Sequence, residues 1–223
     1  PDFQTAELDT LVSRINTPSG FGRQIAVADA DDDRGTMLVT EPTASTNAVT
    51  GGLFASPIQP LVAGVTSFIR FIVPADLGTA TAGTFAAGLT VVPDVDADGR
   101  DDFLVGSPGL IVNTNPIGAF FVSGQSRAII GSPIAAPAQG AASFGLEVDN
   151  VGDVDGDGLD DVAFGAPDDG SRGRVFLRLS TAPTTLRTIE APSAVLTENG
   201  RFGFAIDGIG DIDGDGRNEV VVG

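Results

Sequence analysis

One unit recurs along this chain, and its period constrains the fold more than any other feature. Phe85, Phe144 and Phe202 each stand nine residues before the first aspartate of an acidic loop, at Asp94, Asp153 and Asp211, so the unit returns at intervals of 59 and 58 residues. After each loop comes a short apolar run, Phe103-Leu104-Val105, Val162-Ala163-Phe164 or Val220-Val221-Val222. Two runs are closed by Gly-x-Pro, at Gly106-Ser107-Pro108 and Gly165-Ala166-Pro167. A degenerate copy opens the chain: Phe21-Gly22, then Asp29-Ala30-Asp31-Asp32-Asp33-Arg34-Gly35, then Met37-Leu38-Val39 and Glu41-Pro42.

Further into each unit stand Gly52-Leu53-Phe54, Gly118-Ala119-Phe120-Phe121-Val122 and Gly173-Arg174-Val175-Phe176-Leu177. β-Branched segments follow, such as Ser67 to Val73 and Thr184 to Ile189. Apolar residues come in short groups bounded by Gly, Pro, Asn and Asp, with no sustained i, i+3, i+4 pattern, which argues for strands and against helices. The 30 glycines and 14 prolines reinforce this.

Four short strands per repeated unit predict an all-β fold, a β-propeller of four-stranded antiparallel blades that bury their faces against one another. Solenoid coils are shorter than this unit and tandem sandwiches longer. The expected organisation is a single partial propeller domain over 1–223. Its repeats run over 21–73, 85–130, 144–190 and 202–223, the last truncated, after the end of a preceding blade in 1–20 with a strand near Leu11 to Ile15. A start at Pro1 and a stop at Val221-Val222-Gly223, inside the recurring pattern, are expected of a piece of a longer protein.

The acidic loops carry the chemistry. In Asp153 to Asp161 carboxylates stand at relative positions 1, 3, 5 and 9, with Gly158 at position 6. Alternation in a tight turn throws side chains 1, 3 and 5 towards one centre, and the glycine permits the turn that returns position 9 to it. Hard oxygen ligands converging in this way suit Ca²⁺. Asp-Gly is also a hairpin-turn signal without any metal. Yet five carboxylates in nine residues repel one another, at a cost of roughly a kcal/mol or more to a tight turn unless a cation offsets them. A helix-loop-helix calcium site is excluded because it requires a bidentate Glu at position 12, where this chain has Val105, Phe164 and Val222.

The net charge of −18 argues against nucleic acid or an anionic membrane surface as partner. The 12 basic residues are all Arg, and cysteine is absent, so no disulfide staples the fold. No apolar run of about eighteen residues could span a bilayer, and no charged-then-apolar start resembles a signal peptide.

The order Phe144-Gly145, Asp153-x-Asp155-x-Asp157-Gly158-x-x-Asp161, Gly165-Ala166-Pro167 resembles the FG-GAP repeat of integrin alpha-subunit propellers and their bacterial relatives. The resemblance covers nearly the whole chain. It implies a seven-bladed propeller, of which this chain supplies about half, with calcium in the hairpin loop between the first two strands of a blade. It assigns as ligands Asp94, Asp96, Asp98 and Asp102 with the carbonyl of Arg100, then Asp153, Asp155, Asp157 and Asp161 with that of Leu159. In the last copy these become Asp211, Asp213, Asp215 and Glu219 with the carbonyl of Arg217, about three ions in all. Glu219 departs from the usual Asp, Ala86 from the Gly of FG, and Ser107 from the Ala of GAP; the last two do not touch the ligands. Only Asp29, Asp31 and Asp33 remain in the first copy, where metal binding is doubtful.

Other residues have simpler expectations. Phe85, Phe144 and Phe202 pack between adjacent blades, the Gly-x-Pro glycines are turn positions, and Asp168 and Asp169 form a solvated loop. Arg172, Arg174 and Arg178 form a small basic stripe that could contact a ligand, though neutralising nearby aspartates is the simpler expectation. With no His, no Cys, no Gly-x-Ser-x-Gly elbow and no phosphate-binding Gly-Lys loop, the segment offers no nucleophilic triad. The expected function is a non-enzymatic extracellular or cell-surface adhesion or recognition module, its ligand a protein or glycan, its Ca²⁺ ions rigidifying the blade hairpins. The alternative is an accessory propeller of a secreted hydrolase or lyase whose catalytic domain lies outside this chain.

Overall fold

The computed structural model describes residues 23–28, 36–43, 50–57, 69–72, 77, 80–113, 115–137, 143–192 and 200–223. The expected strand near Leu11 to Ile15, Phe21, and the degenerate loop with Asp29, Asp31 and Asp33 lie outside them.

The described residues form fifteen β-strands in four antiparallel sheets. The first sheet runs in sequence order through β1 (Ile25–Ala28), β2 (Thr36–Thr43), β3 (Thr50–Pro57) and β4 (Ile69–Ile72). The third does the same with β10 (Glu147–Gly152), β11 (Asp161–Ala166), β12 (Arg174–Arg178) and β13 (Leu186–Glu190), and the fourth pairs β14 (Ile206–Gly210) with β15 (Glu219–Val222). These meanders follow from apolar runs too short for helices and from the turn residues between them.

The second sheet has five strands where four are expected. Its meander is β6 (Gly88–Val92), β7 (Asp102–Val112), β8 (Asn115–Val122) and β9 (Ile129–Ile134), and β5 (Ala80–Ala82) pairs with the far end of β7. The extra strand exists because β7 does not stop at Gly106-Ser107-Pro108. The chain runs through a register shift between Gly106 and Leu110 and goes on to Val112, exposing backbone for β5 to pair with.

The first strands β1, β6, β10 and β14 pack in succession alongside one another, so consecutive sheets stack about their innermost strands as propeller blades do. The core lies between sheets. Leu38 and Leu53 of the first sheet meet Phe103 and Phe120 of the second. Leu104 and Phe121 of the second meet Phe144 and Phe164 of the third, and Val151 and Val175 of the third meet Phe202 and Ile206.

Phe144 is fully buried between the second and third sheets, its ring 5.0 Å from that of Phe164 and 5.4 Å from that of Phe176. Burial of such a side chain contributes about 1.5–3 kcal/mol. A Cβ on Gly118 of β8 would lie 2.0 Å from the Phe144 ring, so glycine there is what admits the aromatic. Phe85 and Phe202 are buried in the corresponding layers.

Gly106 and Gly165 are not turn residues. They sit inside β7 and β11 and are paired in the ladders. A Cβ on Gly165 would lie 2.0 Å from the carbonyl oxygen of Gly203, and one on Gly106 2.1 Å from that of Gly145. Each glycine of Gly-x-Pro thus lets the Phe-Gly backbone of the following repeat press against its own, which is a requirement of close approach rather than of dihedral freedom.

Candidate metal centre

Each acidic loop connects the first two meander strands of its sheet: β6 to β7, β10 to β11, β14 to β15. The loop is built by its own carboxylates. Asp153 Oδ1 accepts from the Gly156 and Asp157 amides at 2.6 and 3.0 Å, and its Oδ2 from Gly158 at 2.7 Å. Asp211 repeats this with Gly214, Asp215 and Gly216 at 2.7, 3.2 and 2.9 Å, and Asp94 with Asp98 and Gly99 at 3.0 and 2.7 Å. Desolvation works to raise the Asp153 pKa, but the amides of Gly158, Gly156, Asp157 and Asp155 together hold it below the usual carboxylate value.

Position 9 closes the loop from the strand side. Asp102 and Asp161 begin β7 and β11 and are buried. Asp161 Oδ2 accepts from Val154 N at 3.1 Å and Oδ1 from Ser180 N at 2.8 Å; Asp102 accepts from Val95 N at 2.6 Å and Gly124 N at 3.1 Å. Burial pushes both carboxyls above their ordinary value, against these hydrogen bonds. Glu219 spans the longer reach by accepting from Ile212 N at 2.7 Å.

Three groups of carboxylates converge, each with one oxygen per residue within 4.8 Å of the others: Asp94, Asp96 and Asp102; Asp153, Asp155 and Asp161; Asp211, Asp213, Asp215 and Glu219. Such all-oxygen, multiply charged sets fit a hard divalent cation. Position 5 divides the loops. Asp215 stands inside its group, whereas Asp98 and Asp157 do not. Asp98 Oδ2 instead accepts from the Ser123 hydroxyl at 3.1 Å, and Asp157 Oδ2 from the Ser180 hydroxyl at 2.7 Å. The amides at position 7, Arg100, Leu159 and Arg217, donate to the position-5 carboxylates at 3.0, 2.7 and 3.0 Å.

Sequence reasoning missed the segment that leaves the third meander strand. Ser123 and Gly124 after β8, and Ser180 and Thr181 after β12, fold over the loops; the Thr181 hydroxyl donates to Asp155 at 3.1 Å. The signal is faint but present in the paired Ser123-Gly124 and Ser180-Thr181 steps that end these two strands.

The three arginines do not act alike. Arg174 pairs with Asp169 at 2.9 Å and Glu190 at 2.8 Å, so Asp169 is a buried ion-pair partner rather than part of a solvated loop. Asp168 is exposed, 3.3 Å from Arg201. Arg178 neutralises no aspartate among the described residues; it stacks over Phe121 at 5.0 Å. The buried Arg172 Nε has no hydrogen-bond partner among the described residues.

The family described as FG-GAP repeat matches residues 144–177, which hold Phe144-Gly145, the second acidic loop and Gly165-Ala166-Pro167. The chain is 30% identical to integrin alpha-6 of Gallus gallus over 155 residues, 66% of this chain and 14% of that protein. It is 33% identical to integrin alpha-PS2 of Drosophila melanogaster over 148 residues, 58% of this chain and 11% of that protein. To integrin alpha-IIb of Homo sapiens it is 34% identical over 149 residues, 59% and 14% of the two chains. The aligned part therefore spans no more than 14% of these relatives' length. Among the described residues no helix is long and apolar enough to cross a membrane.

Proposed function

Because the chain is an integrin-alpha-like FG-GAP repeat protein, all-β and built of propeller blades, we propose that it is a calcium-binding, non-enzymatic recognition module of an extracellular or cell-surface protein. Its repeats would occupy 21–73, 85–130, 144–190 and 202–223, and its ligand would be an extracellular protein or glycan.

The observation that carries the reading is the convergence of three or four carboxylate oxygens in each of three loops. Asp94, Asp96 and Asp102 hold the first ion, Asp153, Asp155 and Asp161 the second, and Asp211, Asp213, Asp215 and Glu219 the third, with Asp98, Asp157 and the carbonyls of Arg100, Leu159 and Arg217 completing the shells. Bound Ca²⁺ supplies charge compensation and a cross-link across the hairpin. The protein residues do the rest: amides at positions 4 to 6 orient position 1, and β7, β11 and β15 fix position 9. A blade edge stiffened in this way holds the remaining loops of the disc in one arrangement, which favours binding by lowering the ordering cost.

Calcium titration of the chelator-treated protein tests this, with unfolding temperature as a second readout. The expected result is three ions per chain and a clear rise in unfolding temperature on calcium addition. A stoichiometry of zero, or unfolding indifferent to chelator, refutes it.

A further inference from the structure

Two of the described arginines of the third and fourth sheets find acids in this chain of net charge −18. Arg174 bridges Asp169 and Glu190, and Arg201 faces Asp168. Arg178 is held differently. Its Nε donates to the Pro183 carbonyl at 2.6 Å and its guanidinium carbon lies 5.0 Å from the centre of the Phe121 ring, across the joint between the second and third sheets. No carboxylate among the described residues comes within ion-pair distance of it. Desolvation is what acts on its charge, pulling its pKa down with no acid to offset it.

This cation stands where two cavities meet. One, of about 320 Å³, is walled by Val92, Phe121, Val162 and Leu179 at the inter-sheet joint. The other, of about 540 Å³, lies against Ile134 and Leu186, and Arg178 and Pro183 line both. Cavities of this size, with mainly apolar walls and a few polar groups of which Arg178 is the one cation among the described residues, suit small molecules. One N–H anchored on Pro183 and the ring face of Phe121 beneath hold the guanidinium in place, so its terminal nitrogens are oriented before a ligand arrives. A planar fork of this kind matches a carboxylate.

Charge narrows the choice further. Asp94 and Asp160 also line the first cavity. A multiply charged anion such as phosphate would meet their repulsion in full, whereas a monoanion with an apolar body meets less of it and covers the apolar walls. We propose that the cleft between the second and third sheets binds a small apolar monocarboxylate, paired through its carboxylate with Arg178.

The test uses the full chain in calcium, with isovalerate and benzoate as probes and isovaleramide and benzamide as neutral counterparts, followed by saturation-transfer NMR and calorimetry. The acids bind and the amides bind about tenfold or more weakly, the loss expected of one charge-assisted pair. Arg178→Gln shows the same loss for the acids with an unchanged circular dichroism spectrum, Arg178→Lys retains part of the binding, and inorganic phosphate does not compete. Equal binding of acid and amide to the unmodified chain overturns the proposal whatever the variants do. So does undiminished acid binding to folded Arg178→Gln, which would place the carboxylate on a loop-bound cation, and so does no saturation at about 10 mM acid, beyond the millimolar range of fragment affinities.

Discussion

The Ser180 hydroxyl donates to Asp157 Oδ2 at 2.7 Å, and Asp157 is the carboxylate of its loop that stands outside the converging group. The first loop repeats this, its Ser123 hydroxyl donating at 3.1 Å to Asp98, which also stands outside its group. The hydroxyl therefore competes with the centre for the position-5 carboxylate. Ser180→Ala keeps the amide that binds Asp161 and removes the tether. It is expected to raise calcium affinity at the second loop severalfold, by less than the ~1 kcal/mol net worth of one hydrogen bond. Chelator-competition titration measures it; a fall in affinity would mean that the serine presents Asp157 to the ion instead.

Ala97 occupies position 4 of the first loop with φ +63°, where the other loops have Gly156 at +84° and Gly214 at +82°. It is exposed, so its methyl buries nothing in return. A left-handed conformation costs an L-residue about 1–2 kcal/mol, and glycine gives back roughly 0.5–1 kcal/mol through its freer unfolded chain. Ala97→Gly is thus expected to stabilise the protein by about 0.5–1 kcal/mol, read from the urea midpoint at constant slope. Destabilisation would show that the turn does not gain from relief at this position.

These two residues mark how far the sequence could be read. Strand meanders and loop positions are legible because they depend on local alternation and on Asp-Gly turns that recur at a fixed interval. Close approach is not local. Nothing in Gly165-Ala166-Pro167 announces that Gly203, in another sheet, lies against it. Ala86 and Ser107 read as unrelated departures, yet the Ala86 amide donates to the Ser107 hydroxyl at 3.0 Å, and the two form one joint. Ser180 escapes, and Arg178 reads as a partner of aspartates, for the same reason, since their actual partners Asp157 and Phe121 lie 23 residues away and in a neighbouring sheet, respectively.

Gly165→Ala tests the contact between sheets. The added Cβ would lie 2.0 Å from the Gly203 carbonyl oxygen, and both sides are backbone, so no side chain can turn aside. Overpacking of this kind costs about 1–3 kcal/mol and occasionally more, with a backbone-on-backbone clash at the upper end. Gly158→Ala is the reference, because nothing lies within 4 Å of its Cβ position and only its φ of +85° is penalised, at about 1–2 kcal/mol. Denaturant unfolding in saturating calcium should rank Gly165→Ala well below Gly158→Ala. Equal losses would mean that the sheets can slide apart at this joint without penalty.

Glu147, on the innermost strand of the third sheet, accepts at 3.1 Å on both carboxylate oxygens from the Nε2 of Gln24 beside the first sheet. Gln24 Oε1 is buried and has no hydrogen-bond partner among the described residues. Burial raises the Glu147 pKa above its ordinary 4.5, with Asp149 adding to the shift and Gln24 and Arg23 opposing it. The folded state therefore holds a proton that the unfolded state has released in the window from about 4.5 upward to the raised value. Stability from this group is gained as pH falls through that window, and above it the ionised carboxylate is a cost. Glu147→Gln removes the charge and supplies an N–H for Gln24 Oε1. It is expected to stabilise the protein at pH 7 by about 1 kcal/mol, and the advantage over the unmodified chain should shrink as pH approaches 4.5. Paired urea titrations at several pH values, with calcium saturating in both proteins, isolate the difference; a variant less stable at pH 7 would show that the ionised form is the one the inner strands require.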